Sequence, residues 1–396
     1  MSMEQKYLKK GGLIAFIALL SMTPPLATDL YMPSLPEMTN YYQTTSSVTS
    51  YTMTIFFIFM AIGILILGPM SDKYGRKPVL LGSILVALTF SIICAISPSI
   101  WILIAARAIQ AFGAGGMVAI STALIKDSFE GKEMSNVLSI TQAIVLLAPM
   151  LAPILGAVIL AFFSWKMTFV ALAVLFLVSL IGGFLLEETL PQEKRVSGST
   201  FKSILGLTSI VKDKKFTSLL LVVALLMAPF MAYLTLASYI YIDGFGISES
   251  AFSLYFAGAA CIGLIGPFLY MRVGGGSIKK SINIAFVIVT ISICLLFLVG
   301  SISPFVFLVC YVPFTVITTY LRPMVSNTLL SMQKSNVGAA SSLMNFGFTV
   351  IGSVGMMVGS LQWGDYINGL SMTMLIFLVL SLLLWIYCLQ KKIITD

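Results

Sequence analysis

The sequence has 396 residues, 59% of them hydrophobic and only 10% charged, with a mean hydropathy of +1.03. No water-soluble domain is built at that ratio, so lipid is the solvent of its apolar surface. The net charge of +8 comes from 23 lysines and arginines against 15 acids, and there is no histidine. That excludes Ser-His-Asp and Cys-His nucleophilic sites, histidine-ligated metals and histidine proton relays. Cys94, Cys261, Cys294, Cys310 and Cys388 all lie in apolar segments without Cys-x-x-Cys spacing. They read as small membrane residues, neither disulfides nor metal ligands. No metal, no cofactor and no enzymatic activity is expected.

Residues 1–10 are basic, and the apolar run from Leu13 superficially resembles a signal peptide. It reads instead as an uncleaved first span, because no clean small-x-small site follows and eleven further spans do. The predicted spans are 12–34, 48–69, 78–97, 100–125, 136–161, 166–186, 217–242, 250–271, 280–300, 304–330, 337–359 and 368–390. Each has about 20 residues or more, enough to cross about 30 Å of hydrocarbon. With Lys6, Lys9 and Lys10 inside, both termini and every even-numbered link are cytoplasmic. All basic residues except Arg107, Arg322 and Lys166 then fall in cytoplasmic stretches, the positive-inside pattern. The positive charge is therefore topology, and nucleic acid is not a partner. The expected fold is an all-α membrane protein of twelve transmembrane helices in two six-helix bundles. Residues 1–186 form the first bundle, 187–216 a cytoplasmic linker and 217–396 the second.

Span one holds Asp29 within Thr23-Pro24-Pro25-Leu26-Ala27-Thr28-Asp29-Leu30-Tyr31-Met32-Pro33-Ser34-Leu35-Pro36. Prolines break a helix ladder and free carbonyls, which membranes tolerate only against protein or a water cavity. Asp29 lies roughly 9 Å from the outer end of the span at 1.5 Å per residue. A helix end already at headgroup level is the plainer alternative. Spans two and three are joined by Gly68-Pro69-Met70-Ser71-Asp72-Lys73-Tyr74-Gly75-Arg76-Lys77-Pro78. This link reads as a short cytoplasmic loop in which Gly68 and Gly75 allow close approach or a tight turn. A phosphate-binding loop is rejected, since no Gly-Lys-Ser/Thr follows.

Span four carries Arg107, with Gln110 one turn on along the same face. By depth Arg107 reaches roughly the layer of Asp29, about 10 Å from the outer end; the alternative is a snorkelling anchor. Charges inside spans are costly and usually functional. Span five contains Pro149, Pro153 and Gly156, a pattern that kinks a helix. The stretch from Glu187 to Lys215 divides the chain six plus six. Phe201, Ile204, Leu205 and Ile210 give it a weak amphipathic pattern, and a solvated linker fits it equally well. Span eight ends in Gly266-Pro267 as span two ends in Gly68-Pro69, but Tyr270 stands where Asp72 stood. Arg322 lies in the inner half of span ten. Thr28, Asp29, Tyr31, Met32, Gln142, Met150, Tyr233 and Tyr239 are candidate pocket residues, soft, aromatic or hydrogen-bonding groups near helix breaks.

The 68–77 link closely resembles the signature of the major facilitator superfamily. The Asp-Leu-Tyr-Met-Pro-Ser-Leu-Pro, Arg-x-x-Gln-x-x-Gly-x-Gly-Gly and Ala-Pro-x-Leu-Ala-Pro-x-Leu-Gly stretches of spans one, four and five resemble the Bcr/CflA group of multidrug:proton antiporters within it. These motifs all lie in the first half. The resemblance implies that Asp29 is the proton- and substrate-responsive carboxylate and Arg107 a polar-network residue. It implies that Pro149, Pro153 and Gly156 are the antiporter signature, and that Gly68, Asp72, Gly75, Arg76 and Lys77 form a conformational latch. Some relatives carry a second acid earlier in span one, where this chain has Leu20-Ser21-Met22. The expected function is proton-coupled efflux of drug-like amphipathic compounds by a monomer across a bacterial cytoplasmic membrane. Rivals are a same-fold carrier of one metabolite, a membrane enzyme and a channel.

Overall fold

A chain this apolar must close its backbone hydrogen bonds within each segment, and every regular element among the described residues is a helix. The computed structural model describes residues 5–195, 210–273, 276–332 and 337–394. By internal contacts the chain divides into two units. One is Met1–Thr44 with Tyr51–Ile204, and the other is Thr45–Ser50 with Leu205–Asp396.

The first unit holds α1 (Lys9–Asp29), a 3-10 turn (Met32–Ser34), α2 (Leu35–Tyr41), most of α3 (Ser46–Tyr74), α4 (Arg76–Ala95), α5 (Ile100–Ser128), α6 (Gly131–Phe162) and α7 (Lys166–Leu185). Within it α1 packs on α5 and α6, and α4 packs on α5 and α7. The second unit holds α8 (Lys214–Ser238), a π-turn (Tyr239–Gly244), α9 (Glu249–Gly263), α10 (Ile265–Val273), α11 (Ile278–Val299), α12 (Pro304–Ser331), α13 (Val337–Gly359) and α14 (Tyr366–Gln390). There α8 packs on α13 and α14, and α12 on α9, α10 and α11. Several starts follow from the residue before them. Ser99, Ser248, Ser277, Ser303 and Asp365 each accept an amide of the first turn they cap, and Asp213 accepts two.

Eleven helical segments among the described residues are long and apolar enough to cross a membrane. The predicted fifth span is α6, 32 residues long, whose shorter apolar stretch is Leu147–Phe162. The protein is a multi-pass membrane protein.

Three details differ from the sequence expectation, and a fourth, the break in span one, follows from its prolines. The 68–78 link is not a loop, because α3 runs through Pro69 to Tyr74 and Gly75 alone turns the chain. Gly75 has φ +102°, which an L side chain rarely adopts. Span one is interrupted, since Pro33 and Pro36 cannot donate the amides an unbroken helix would need there. Span eight breaks between Gly263 and Ile265, where Pro267 lacks the amide that would reach Gly263. The start of the predicted linker, residues 187–195, folds back on the first unit. Residues 196–209, with Phe201, Ile204 and Leu205, lie outside the described residues.

Candidate functional site

Asp29 is the last residue of α1 and only 4% exposed. Among the described buried residues it is the sole acid. Its carboxylate accepts the Thr28 hydroxyl at 2.9 Å. That hydroxyl also lies 3.0 Å from the Pro24 carbonyl and 3.3 Å from the Pro25 carbonyl. It has one hydrogen for three acceptors. Just beyond, Ser34 closes the turn with its amide and hydroxyl on the Tyr31 carbonyl, at 2.9 and 2.6 Å. A β-carbon at Gly156 of α6 would overlap the Leu30 carbonyl, so the bare backbone of α6 sits directly on the broken end of α1. Pro153 is buried beside this seat and Pro149 half-buried one turn before.

Arg107, in α5, is fully buried. One terminal nitrogen donates to the Gln110 amide oxygen at 2.6 Å, and Nε donates to the Thr52 carbonyl at 3.4 Å. Gln110 in turn donates to Ser91 at 2.5 Å. The guanidinium lies over the rings of Phe56, Tyr31 and Phe169, at 4.2, 4.6 and 5.7 Å from their centroids. Ring faces offset part of the desolvation of a buried cation. The second terminal nitrogen has no partner. No ion pair joins Arg107 to Asp29; the four ion pairs among the described residues lie elsewhere. Arg107 is thus held by rings and neutral acceptors, with one donor left open.

At the Gly75 turn, Arg76 bonds Asp72 at 2.5 Å, Asp127 at the end of α5 at 2.8 Å, and the Ser71 hydroxyl at 2.7 Å. Glu188 accepts the Arg76 and Lys77 amides at 2.9 and 3.2 Å. A carboxylate there satisfies free amides and faces the positive end of the α4 dipole. Arg195 approaches Glu188 at 3.7 Å, and Lys77 donates to the Phe184 carbonyl at 2.9 Å. Gln5 and Glu187 exchange two hydrogen bonds beside this cluster. Gly68 lies inside α3, away from the turn itself.

The sequence candidates therefore fall into separate places. Thr28, Asp29, Tyr31 and Met32 meet at the break of α1, all buried. Met150 is half-buried on α6, and the Gln142 side chain lies outside the described residues. Tyr233 and Tyr239 belong to the second unit; Tyr239 stacks on Tyr366 at 5.4 Å. Arg322 presents an exposed surface and joins none of the described ion pairs. Sequence reasoning missed Phe56, Phe169, Asp127 and Glu188. The two acids had a signal, each being a carboxylate at a predicted span end; the two rings had none.

The major facilitator superfamily profile matches residues 13–356, and the chain belongs to that family. It is a transporter, not an enzyme. It is 33% identical over 351 residues to the uncharacterized MFS-type transporter YdgK of Bacillus subtilis, covering 87% of each chain. It is 31% identical over 251 residues to a bicyclomycin resistance protein homolog of Haemophilus influenzae, covering 61% of each. The name of the second relative is consistent with the Bcr/CflA resemblance of the motifs in spans one, four and five. Its fold matches a bacterial homolog of the lysosomal transporter Spinster with a TM-score of 0.75, at 14% identity over 98% of each chain.

Proposed function

We propose that this transporter exports amphipathic compounds of the phenicol or bicyclomycin kind in exchange for protons, with Asp29 as the proton carrier. It does so as a monomer in a bacterial cytoplasmic membrane, both termini cytoplasmic, by alternating access of its two halves. The observation that carries the reading is that Asp29, among the described residues, is the sole buried acid, at a helix break, with a neutral partner. The names of the H. influenzae bicyclomycin resistance protein homolog and of a Pseudomonas aeruginosa chloramphenicol resistance protein, 31% identical over 254 residues, support the compound class.

The Thr28 hydroxyl makes both charge states of Asp29 tenable. The ionised carboxylate takes the Thr28 hydrogen. The protonated acid needs none and donates its own O–H to the Thr28 oxygen, while Thr28 turns to the Pro24 or Pro25 carbonyl. Each state keeps its hydrogen bonds, so the proton can come and go without leaving a buried group orphaned. The open nitrogen of Arg107 is suited to an acceptor oxygen on the carried compound.

The test is transport in proteoliposomes under an imposed pH gradient, screened across neutral and cationic drugs. Asp29→Asn is expected to abolish uphill efflux while binding of a neutral drug stays measurable and loses its pH dependence. Uphill, gradient-driven efflux by that variant overturns the assignment.

A further inference from the structure

The second unit buries three phenols that no described residue completes with a hydrogen bond. Tyr233 on α8, Tyr241 in the π-turn and Tyr311 on α12 are each at most 2% exposed, and none of their hydroxyls has a hydrogen-bond partner. They share one place. The Tyr233 and Tyr311 rings stack at 4.3 Å, and the Tyr233 and Tyr241 hydroxyls interact without reaching hydrogen-bond geometry. Phe307 lies parallel to Tyr311 at 6.2 Å and edge-on to Tyr241 at 5.4 Å, while Phe256 lies parallel to Tyr233 at 6.0 Å. In an unbroken α-helix Tyr241 would overshoot the face of Tyr233 by about 80°. The wider π-turn advances less per residue and brings the second phenol back. Such turns recur at functional sites.

The surroundings define what would fit. The ring neighbours recorded for these three phenols among the described residues are all Tyr or Phe. The Thr315 hydroxyl, which shares the space, lies 3.3 Å from the Tyr311 carbonyl and donates there. Buried hydroxyls are normally paired; here three neighbouring phenols between ring faces have no partner at hydrogen-bond distance among the described residues, and an acceptor oxygen on a compound of apolar body would complete them.

We infer that Tyr233, Tyr241 and Tyr311 form a specificity site for a neutral aromatic compound bearing an acceptor oxygen, such as a nitro or amide carbonyl group. The rings hold its body and the phenols hold its oxygens. The inference rests on the export reading for the source of the compound.

The test uses the full chain in lipid nanodiscs, with chloramphenicol as the neutral nitroaromatic amide and ethidium as a planar cation. Tyr233→Phe, Tyr241→Phe and Tyr311→Phe keep the rings, and thermal unfolding verifies each fold. Each is expected to weaken chloramphenicol binding by about three- to tenfold, the loss of one neutral hydrogen bond, and to leave ethidium binding unchanged. Chloramphenicol binding unaltered in all three variants, equal weakening of both compounds, or no chloramphenicol binding by the wild type overturns the site. Lower thermal stability with unaltered binding assigns the phenols to a structural water and overturns it too. Tyrosine-dependent binding without uphill transport overturns the export reading alone.

Discussion

The two units meet the same difficulty, polar groups buried in an apolar helix bundle, in opposite ways. The first buries charge: Asp29 on one hydroxyl, Arg107 among three rings and two neutral acceptors. The second buries phenols that are neutral and left unfinished. The ends differ likewise. Arg76, Asp72, Asp127 and Glu188 bind the Gly75 turn of the first unit, whereas Tyr270 on α10 has one hydrogen bond, from Asn327 on α12 at 3.0 Å. All four described ion pairs lie in the first unit. On the export reading proposed above, the contrast is a division of labour: charge is kept where protonation and conformation are to be coupled, and neutral donors where a ligand is to be told from its neighbours.

The comparison breaks most directly at Arg107. Replacing it by Met keeps apolar bulk against Phe56 and Phe169 but removes the charge and orphans Gln110. Leaving the Gln110 amide oxygen buried without its donor costs about 1–3 kcal/mol, and with the charge itself gone transport in proteoliposomes is expected to fall on the order of a hundredfold. Near-normal turnover in Arg107→Met would reduce the arginine to packing. At the Gly75 turn, Arg76→Ala and Glu188→Gln are expected to lower the transport rate about tenfold with drug affinity kept, the signature of a population shift of about 1.4 kcal/mol. Tyr270→Phe in the second unit is expected to change it by about twofold, because a partly exposed neutral hydrogen bond lies at the low end of the range, about 0.5 kcal/mol. Equal effects at the two ends would erase the asymmetry. An intermediate effect, between those of Arg76→Ala and Tyr270→Phe, is expected at Thr28→Val, which removes the hydroxyl but keeps the shape. Export should slow by about three- to tenfold, one neutral hydrogen bond, and drug binding should change its pH dependence. An unaltered pH profile in Thr28→Val would take the hydroxyl out of the proton step.

Much of this was legible in the chain. Asp29 and Arg107 stand out because a charge in an apolar run is rare enough to need a reason. The prolines announced that span one would break; of the two glycines expected to allow a turn, Gly68 and Gly75, only Gly75 makes it. Phe56 and Phe169 were invisible, because two rings among 27 phenylalanines in apolar runs carry no mark of their own. Glu188 was hidden differently: charged residues in a link look alike, and only folding shows which one reaches the first amides of α4. The tyrosine cluster needed the π-turn, which no periodicity rule foretells. Depth along a helix placed Asp29 and Arg107 at similar heights, yet height says nothing of which way a side chain points; the arginine turns to rings.

The seat of Gly156 on the Leu30 carbonyl sets which substitutions this part of the chain can accept. Position 156 has no permissible replacement while α1 ends where it does, since even alanine would overlap that oxygen. The prolines nearby are freer, because replacing either restores an amide and straightens a helix that is already whole through both positions. A variant at 156 can survive only by shifting the break, and Asp29 is one residue away from it. Drift in this sequence is therefore closed at a glycine that bears no charge and touches no ligand, while its conspicuous neighbours stay open to change.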